Sequence, residues 1–490
     1  MARLEYKWIV AIVFVFGLFM ELLDMTITNV ALPVLATSFD ASTTGIEWII
    51  TGYLLSLAVF IPISGWVGDR FGTKRTFMFA LITFTAASLL CSFAWSIDSL
   101  IAFRVLQGIG GGMLTPVGTA MLFRAFPVNE RARVSALITI PAIVAPASGP
   151  VLGGYLVEYH SWHSIFLINI PIGLIALVFS ALYLREHREP EAGRLDIPGF
   201  IFGSAGLASL VYALSQAGSR GFDNLVVGGF GLTGLALLAL FIVAESRAQR
   251  PMIDIGLFRY RLFTAGNLVM FFSGAAFGGL LFLLPLMLQS EMGMTPLESG
   301  LTTFPSAIGV MLTATVAGKL YNSIGPRRLM IVGMAISAVI TLAFLRVDAN
   351  TSAWTIRALM LIRGGAFGLA LVPLQAATFA EVTGAETGQA SAAFSVIRQV
   401  SSSVGVALVA TVLTARLGVH DAIMGSPATT AGAFLAFHDT FVIATLVTAV
   451  AIAAAFLVSD KLAASTMNPA TAEPQSVAFK EDEELELAAD

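Results

Sequence analysis

Long apolar segments alternate with short polar segments along almost the whole chain. A hydrocarbon core roughly 30 Å thick requires about 20 mostly apolar residues of each helix that crosses it. The pattern of apolar runs predicts fourteen such helices, at residues 8–31, 46–66, 76–95, 98–121, 134–157, 164–184, 197–216, 225–244, 262–288, 299–320, 328–346, 354–379, 392–416 and 436–458. We therefore predict an all-α integral membrane protein.

Basic residues are concentrated in every second loop of this pattern. Arg70, Lys74 and Arg75 follow the second predicted span, and Arg185 and Arg188 follow the sixth. Cytoplasmic loops of membrane proteins carry an excess of Lys and Arg. Both chain ends are therefore predicted to lie in the cytoplasm.

The second half of the chain repeats motifs of the first half. SGWVGDRFGTKR follows the second predicted span, and AGKLYNSIGPRR follows the tenth. Gly65 corresponds to Gly318 in this repeat, and Gly72 corresponds to Gly325. Two similar halves that face each other are the usual construction of a secondary transporter, with the substrate site between them near the middle of the membrane.

The repeat divides the chain into four parts. Residues 1–190 hold six spans, residues 191–250 hold an inserted pair without a counterpart, and residues 251–461 hold six more. Residues 462–490 end in the acidic run EDEELELAAD and are predicted to form a disordered cytoplasmic tail. The predicted organisation is two six-helix halves plus two inserted helices.

Composition narrows the class of function. Only 12% of the residues are charged, against about 25% in soluble proteins, and a net charge of −4 gives no reason to expect a nucleic-acid partner. The single cysteine, Cys91, excludes an intrachain disulfide and argues against a thiolate metal site. The sequence has no phosphate-binding loop of the form G-x-x-x-x-G-K-[ST] and no catalytic cluster. We expect neither an ATP-driven pump nor an enzyme, no cofactor, and energy from an ion gradient.

Six segments resemble motifs of the major facilitator superfamily, specifically its 14-span drug:proton antiporter branch. They are LLDMTITNVALP, GWVGDRFGTKR, FRVLQGIGGGM, PASGPVLGG, LDIPG and IRQVSSSVGVA, in that order along the chain. The resemblance covers nearly the whole chain except the tail. It departs at one position of the loop motif, because Asp69 of the first copy is replaced by Asn322 in the second. We therefore expect the first copy to carry any gating that depends on charge.

The resemblance implies the major facilitator fold and a proton-coupled antiporter. Such a protein would export amphipathic, often cationic drugs across the bacterial inner membrane by alternating access. Its partners would be a small amphipathic substrate, protons and the lipid bilayer, and it would work as a monomer, with a periplasmic adaptor left open. The alternative is an exporter of an endogenous lipid, siderophore or metabolite that uses the same machinery. A sensor or scaffold is a third reading, which intact coupling residues disfavour.

The first span contains two acids, Glu21 and Asp24, in the stretch GLFMELLDMTITNVALP. A charged side chain at the centre of a bilayer costs about 2.5–3.5 kcal/mol or more, so such residues are candidates for function. Both acids fall on one helix face, which must turn into the bundle. Arg104 on the fourth span is predicted to lie at a similar height and to compensate the acids.

We expect Glu21 and Asp24 to titrate as a coupled pair, with one proton held or released near physiological pH. A cationic substrate would then compete with that proton for the acids. Alternate binding of proton and substrate at one site is the basis of antiport. The alternative is that both acids only pair with structural partners and that Arg104 only joins two helices.

Four further polar residues fall inside predicted spans: Gln107, Arg363, Arg398 and Gln399. We interpret the two arginines mainly as cross-links between helices, because each needs carbonyl or hydroxyl partners within the bilayer. The two glutamines are candidates for polar contacts to a cavity.

The loop motif between the second and third spans is a candidate gate. Gly65 and Gly68 would permit close approach of the second span to a neighbour. Asp69 would cap the next helix or hold an arginine across the cytoplasmic seam. Arg70, Gly72, Lys74 and Arg75 complete the motif. The alternative is a plain solvated loop.

The fifth span is a candidate seal at the periplasmic side. Ala145, Gly149 and Gly153 recur every fourth residue and predict tight helix packing. Pro141, Pro146 and Pro150 would bend the helix, and the antiporter motif ends at Gly154. Packing without any gating role is the alternative.

Overall fold

A computed structural model describes the chain over eight ranges: residues 5–126, 144–145, 148–188, 196–221, 223–248, 251, 253–382 and 386–467. These residues form helices and turns and contain no strand. Thirteen helices of this part are long and apolar enough to cross a membrane. A further helix, at residues 148–159, lies where the fifth span is predicted. Apart from residues 144–145, the rest of that predicted span, including Pro141 and Pro146, falls outside the described residues.

The helices are numbered here so that each label corresponds to one predicted span. Their bounds are α1 Tyr6–Phe39, α2 Thr43–Phe71, α3 Thr73–Ser92, α4 Ile97–Ala125, α5 148–159, α6 Ser164–Leu167 with Asn169–Tyr183, α7 Ile197–Arg220, α8 Leu225–Arg247, α9 Arg261–Leu286 continued by a π-helical turn Met287–Glu291, α10 Pro296–Thr303 with Pro305–Ile324, α11 Pro326–Ala343, α12 Ala353–Thr378, α13 Thr387–Val419 and α14 Thr430–Ala455. Three short helical segments complete the structure: Ile255–Arg259, Phe344–Arg346 and Ala464–Met467. The last of these begins within the segment predicted to be a disordered tail, whose residues 468–490 are outside the described part.

Side-chain caps fix several helix starts. The side chain of Ser42 accepts a hydrogen bond from the backbone N–H of Gly45 at the start of α2. Ser96 and Ser99 form a capping box at α4, and Thr295 and Glu298 form another at α10. These bonds satisfy N–H groups that the first turn of a helix leaves without partners. We call the end of the bundle that contains these caps the outer end, and the opposite end the inner end.

The two halves repeat the same packing. In the first half, α4 packs against α1, α2 and α3; in the second half, α12 packs against α9, α10 and α11. The turns after α2 and α10 also match, because Gly72 has φ +103° and Gly325 has φ +87°. The sequence repeat is therefore confirmed as a structural repeat.

The inserted helix α7 lies beside both halves. It packs on α2, on α13 and on its own partner α8. The indole N–H of Trp48 donates to Ser215 of α7 over 2.9 Å, and the hydroxyl of Thr411 donates to the carbonyl of Leu214 over 2.7 Å. Much of α8 is exposed, including Leu225 and Leu232. An apolar helix exposed in this way suits contact with lipid.

The two halves meet at the outer end. The side-chain amide of Gln289 on α9 donates to the carbonyl of Val30 on α1 over 2.8 Å. At the inner end, a side chain built on Gly65 of α2 or on Gly318 of α10 would meet nothing within 4 Å among the described residues. The structure is thus closed between the halves at the outer end, while these two inner positions have no close neighbours.

Candidate functional site

Asp24 lies at the centre of a buried polar network. Its Oδ2 atom is 2.5 Å from Nη1 of Arg104 on α4. Its Oδ1 atom accepts hydrogen bonds from the amide of Gln107 over 2.9 Å and from the amide of Asn169 on α6 over 2.8 Å. Asp24 is 0% exposed and Arg104 1%. Both carboxylate oxygens have hydrogen-bond donors, which is the condition under which a charge can be kept inside a membrane.

The guanidinium of Arg104 joins three helices. Besides Asp24 of α1, it donates to the carbonyl of Ile49 on α2 over 3.3 Å and to Gln107 on its own helix over 2.7 Å. It also lies 4.1 Å from the centre of the Tyr53 ring, which is a cation–π distance. The predicted compensation of Asp24 by Arg104 thus takes the form of a direct ion pair.

Glu21 is bonded differently from Asp24, although both lie on one face of α1. Its Oε2 atom accepts a hydrogen bond from the hydroxyl of Thr115 on α4 over 2.5 Å. No ion pair within 4.0 Å is formed by Glu21 in the part of the chain that the structure describes, but the charge of Arg398 on α13 acts on it. Of the two acids, Glu21 is therefore the one without a directly bonded cation.

The other intramembrane polar residues separate into three groups. Gln107 belongs to the Asp24 network. Arg398 has an accessible side chain although it lies within a spanning helix, and Gln399 beside it is buried. Arg363 is buried elsewhere, in the second half. The structure therefore brings Gln107 to the acids and does not bring Arg363 there.

The turn between α2 and α3 is organised by Glu186, which follows α6. Its carboxylate accepts hydrogen bonds from the backbone N–H groups of Lys74 over 3.0 Å and of Arg75 over 3.3 Å. Gly72 has positive φ, and a side chain there would collide with the Glu186 carboxylate. The backbone conformation requires glycine at this position.

Two expectations for the loop motif are wrong in this conformation. Glu186, not Asp69, caps α3. Asp69 holds an arginine, which was its other predicted role, but this is Arg124 of α4 in the same half, at 3.3 Å, and not an arginine across the seam between the halves. Gly65 has no neighbour, and a side chain on Gly68 would meet only ordinary contacts at 3.8 Å and beyond. Gly68 faces Val117 of α4 at an ordinary packing distance, whereas no close approach is found at Gly65. Arg70 is exposed.

Helix α5 packs closely on both halves. A side chain on Gly149 would collide with Thr26 of α1, and one on Gly153 would lie 2.8 Å from Ile27. On the other side, a side chain on Gly154 would lie 2.5 Å from the carbonyl of Pro296 in α10. Pro150 lies against Gly300 of the same helix, where a side chain would also collide. The predicted tight packing is found, and it joins the halves at the outer end.

Several residues of the site were missed by sequence reasoning. Asn169, Thr115 and Ser88 contribute to the network around the acids, and Glu186 caps the loop motif. Asn169 lies inside a predicted span, so the same criterion that singled out Gln107 applies to it. Ser88 and Thr115 carry no comparable signal, because hydroxyl groups are common in membrane helices and bond to their own backbone.

The described residues contain no group of three or more His, Cys, Asp and Glu side chains placed to hold a metal ion. Cys91 is buried, with its Sγ atom 3.8 Å from Gln107. The chemistry available around α1 is therefore that of carboxylates, guanidinium groups and neutral hydrogen-bonding groups, which can bind and exchange protons and ions.

Two repeated halves of six helices, with buried charges on the central helices and a closed seam at one end, define a membrane transporter. The family model of the Major Facilitator Superfamily matches residues 14–406. The chain belongs to this superfamily, whose members are transporters, not enzymes.

Relatives and solved structures agree with this assignment. The chain is 37% identical over 397 residues to a multidrug resistance protein B homolog of Mycobacterium tuberculosis (strain ATCC 25618 / H37Rv), covering 80% of this chain and 73% of that protein. It is 32% identical over 409 residues to the uncharacterized MFS-type transporter YhcA of Bacillus subtilis (strain 168), covering 84% and 77%. A bacterial homolog of the human lysosomal transporter Spinster, in an inward-facing and unoccupied conformation, has a TM-score of 0.64 at 16% identity, covering 95% and 98%. That likeness shows the fold alone.

Proposed function

We propose that this protein is a proton-coupled antiporter that exports amphipathic, often cationic compounds across the bacterial inner membrane by alternating access. The observation that carries the proposal is the pair of buried acids on α1. Asp24 is paired with Arg104, and Glu21 lies one helical turn away with only a hydroxyl hydrogen bond. The names of relatives support a drug as the substrate. The proton gradient supplies the energy without a cofactor, and a monomer with both termini in the cytoplasm suffices.

The proposed exchange takes place at Glu21. A cation that enters from the inner end displaces the proton of Glu21, and the resulting carboxylate balances the charge of the substrate. When the outer end opens, a proton from the periplasm binds the carboxylate and the substrate leaves. Two acids this close share protons, so the proton state of Glu21 is linked to that of Asp24.

Asp24 links the protonation of the acids on α1 to the packing of α1 against α2 and α4. While Asp24 is ionised, Arg104 holds α1 to α4 and to the backbone of α2. A proton on Asp24 removes the charge that Arg104 pairs with and weakens this junction. The proposed coupling therefore lies in the contacts of α1 with α2 and α4.

Transport by the purified protein in liposomes tests the proposal. An imposed pH gradient is combined with a panel of cationic dyes, neutral drugs, siderophores and lipids, and substrate and proton fluxes are recorded together. The proposal predicts opposite fluxes of protons and cationic dyes that stop when the gradient is collapsed. Dye flux that ignores the gradient would contradict it. Flux of lipids, siderophores or metabolites alone would assign the same machinery to an endogenous compound.

A further inference from the structure

Arg363 is a buried guanidinium without an acidic partner among the described residues. It lies on α12 and is 2% exposed. Its Nε and Nη1 atoms are buried and make no hydrogen bond. A buried, unsatisfied charged donor is costly, and a charge inside a membrane helix usually marks a ligand or a partner. The residue therefore points to a ligand that can accept these hydrogen bonds.

The structural repeat identifies what Arg363 lacks. Arg104 of α4 and Arg363 of α12 occupy equivalent helices of the two halves. Arg104 has two side-chain acceptors, Asp24 and Gln107. The described residues that line the cavity beside Arg363 include no Asp, Glu, Asn or Gln.

Alanine side chains form part of this lining. Gln107 lies three residues after Arg104, and Ala366 lies three residues after Arg363. Both Ala276 and Ala366 line the cavity next to Arg363. The second half thus has a buried guanidinium beside a cavity whose lining offers it neither a carboxylate nor a side-chain amide.

The cavity fits a small anion. Its volume is about 20 Å³, and a site of at least about 10–15 Å³ can hold one water-sized species. Ser273, Ser337 and Thr448 contribute hydroxyl groups to the lining. On one side the guanidinium lies 5.3 Å from the centre of the Phe277 ring, which is stacked on Phe367 at 4.1 Å.

We propose that this cavity binds one small monovalent anion, which accepts hydrogen bonds from Nε and Nη1 of Arg363. The anion replaces the carboxylate that Asp24 supplies to Arg104 in the first half. Chloride fits the space as it stands, and the carboxylate of an organic acid offers the same chemistry. The site is separate from the acids of α1, so it does not depend on proton coupling.

Binding of radiolabelled chloride to the full-length protein tests this proposal. The protein is purified in detergent with gluconate as the only anion, and chloride is then titrated at constant ionic strength. We expect saturable binding of one chloride per chain and a rise in the thermal unfolding temperature over the same range. Arg363→Gln should bind chloride about 10- to 100-fold more weakly, because hydrogen bonds to a charged group are lost.

Ala276→Asp is the matched second variant. It places a carboxylate in the lining of the cavity beside Arg363, so it should remain folded, lose chloride binding and no longer respond to chloride in thermal unfolding. A parallel titration with acetate tests whether the ligand is a carboxylate. Displacement of chloride by acetate would support a carboxylate ligand at this site. Binding of acetate that depends on Arg363, in a protein that does not bind chloride, would support it as well. Absence of saturable binding of either anion, as expected of a cavity filled by water, would overturn the proposal. Binding that is unchanged in both variants would also overturn it.

Discussion

Arg104 and Asp24 form an ion pair in which Nη1 and Oδ2 are 2.5 Å apart and both side chains are almost completely inaccessible. They lie on different helices, and Gln107 bonds to both members of the pair. Removing one partner of a buried ion pair leaves the other charge uncompensated, which costs about 3–5 kcal/mol. The pair therefore holds α1 to α4, and it is also the contact that protonation of Asp24 is proposed to weaken.

Replacing Asp24 by asparagine should abolish proton-driven efflux. The amide can still bond to Gln107 and Asn169 but cannot take part in proton exchange or balance the charge of Arg104. Efflux of ethidium from loaded cells measures the effect, with the amount of inserted protein determined in the same membranes. Efflux equal to that of the unmodified protein would refute the role of Asp24 in coupling.

Replacing Glu21 by glutamine should change the pH dependence of transport. The variant keeps the shape of the side chain and its contact with Thr115 but removes a titrating group beside Asp24. Initial rates of dye transport in liposomes, measured over a series of pH values, provide the test. A pH profile identical to that of the unmodified protein would make Glu21 a structural residue.

Alanine at Gly72 should destabilise the protein, whereas alanine at Gly65 should not. Gly72 combines positive φ with the Glu186 carboxylate in the space of a side chain, and such strain costs about 1–3 kcal/mol. Gly65 lies within α2 and meets nothing, so alanine there should stabilise the helix by about 0.5–1 kcal/mol. Thermal unfolding in detergent compares the two variants. Equal unfolding temperatures would contradict the prediction.

His163 should make the protein less stable at acidic pH. Burial lowers the pKa of His163 from its ordinary value of 6.5. The unfolded chain therefore takes up a proton at a higher pH than the folded chain does, and stability decreases as the pH falls below about 6.5 towards the folded-state pKa. His163→Phe keeps a ring to stack on Trp162, which lies 3.7 Å away. Between about pH 7.5 and pH 5.5 its unfolding temperature should fall less than that of the unmodified protein; equal falls would contradict this.

The helices could be predicted from the sequence because the membrane imposes a minimum apolar length. Their ends could not be predicted as well. The apolar run predicts 8–31 for the first span, whereas α1 extends over Tyr6–Phe39. The additional residues at the C-terminal end, LPVLATSF, are mostly apolar, and the helix continues through Pro33. The predicted domain boundaries after residues 190 and 250 fall at or beside residues outside the described part and stay predictions.

The sequence identified those site residues whose charge is unusual inside an apolar, membrane-spanning run. Charged residues inside apolar runs singled out Glu21, Asp24 and Arg104, and helix direction placed the last two at similar heights. Residues that depend on tertiary contact, such as Thr115, could not be found in this way. The role of Glu186 also depends on the end of α6 meeting the start of α3, which no local pattern specifies. Gly65 was interpreted as a contact because small residues usually mark one, but this conformation leaves its surface unpacked.

Release of protons when a substrate binds tests the proposed exchange at Glu21 directly. Purified protein in a weakly buffered detergent solution is mixed with a cationic dye, and the change in pH is converted to protons per bound dye. We expect dye binding to release protons from the unmodified protein, and Glu21→Gln to bind dye without releasing them. Dye binding by the unmodified protein with no release of protons, across the pH range in which it transports, would contradict the account.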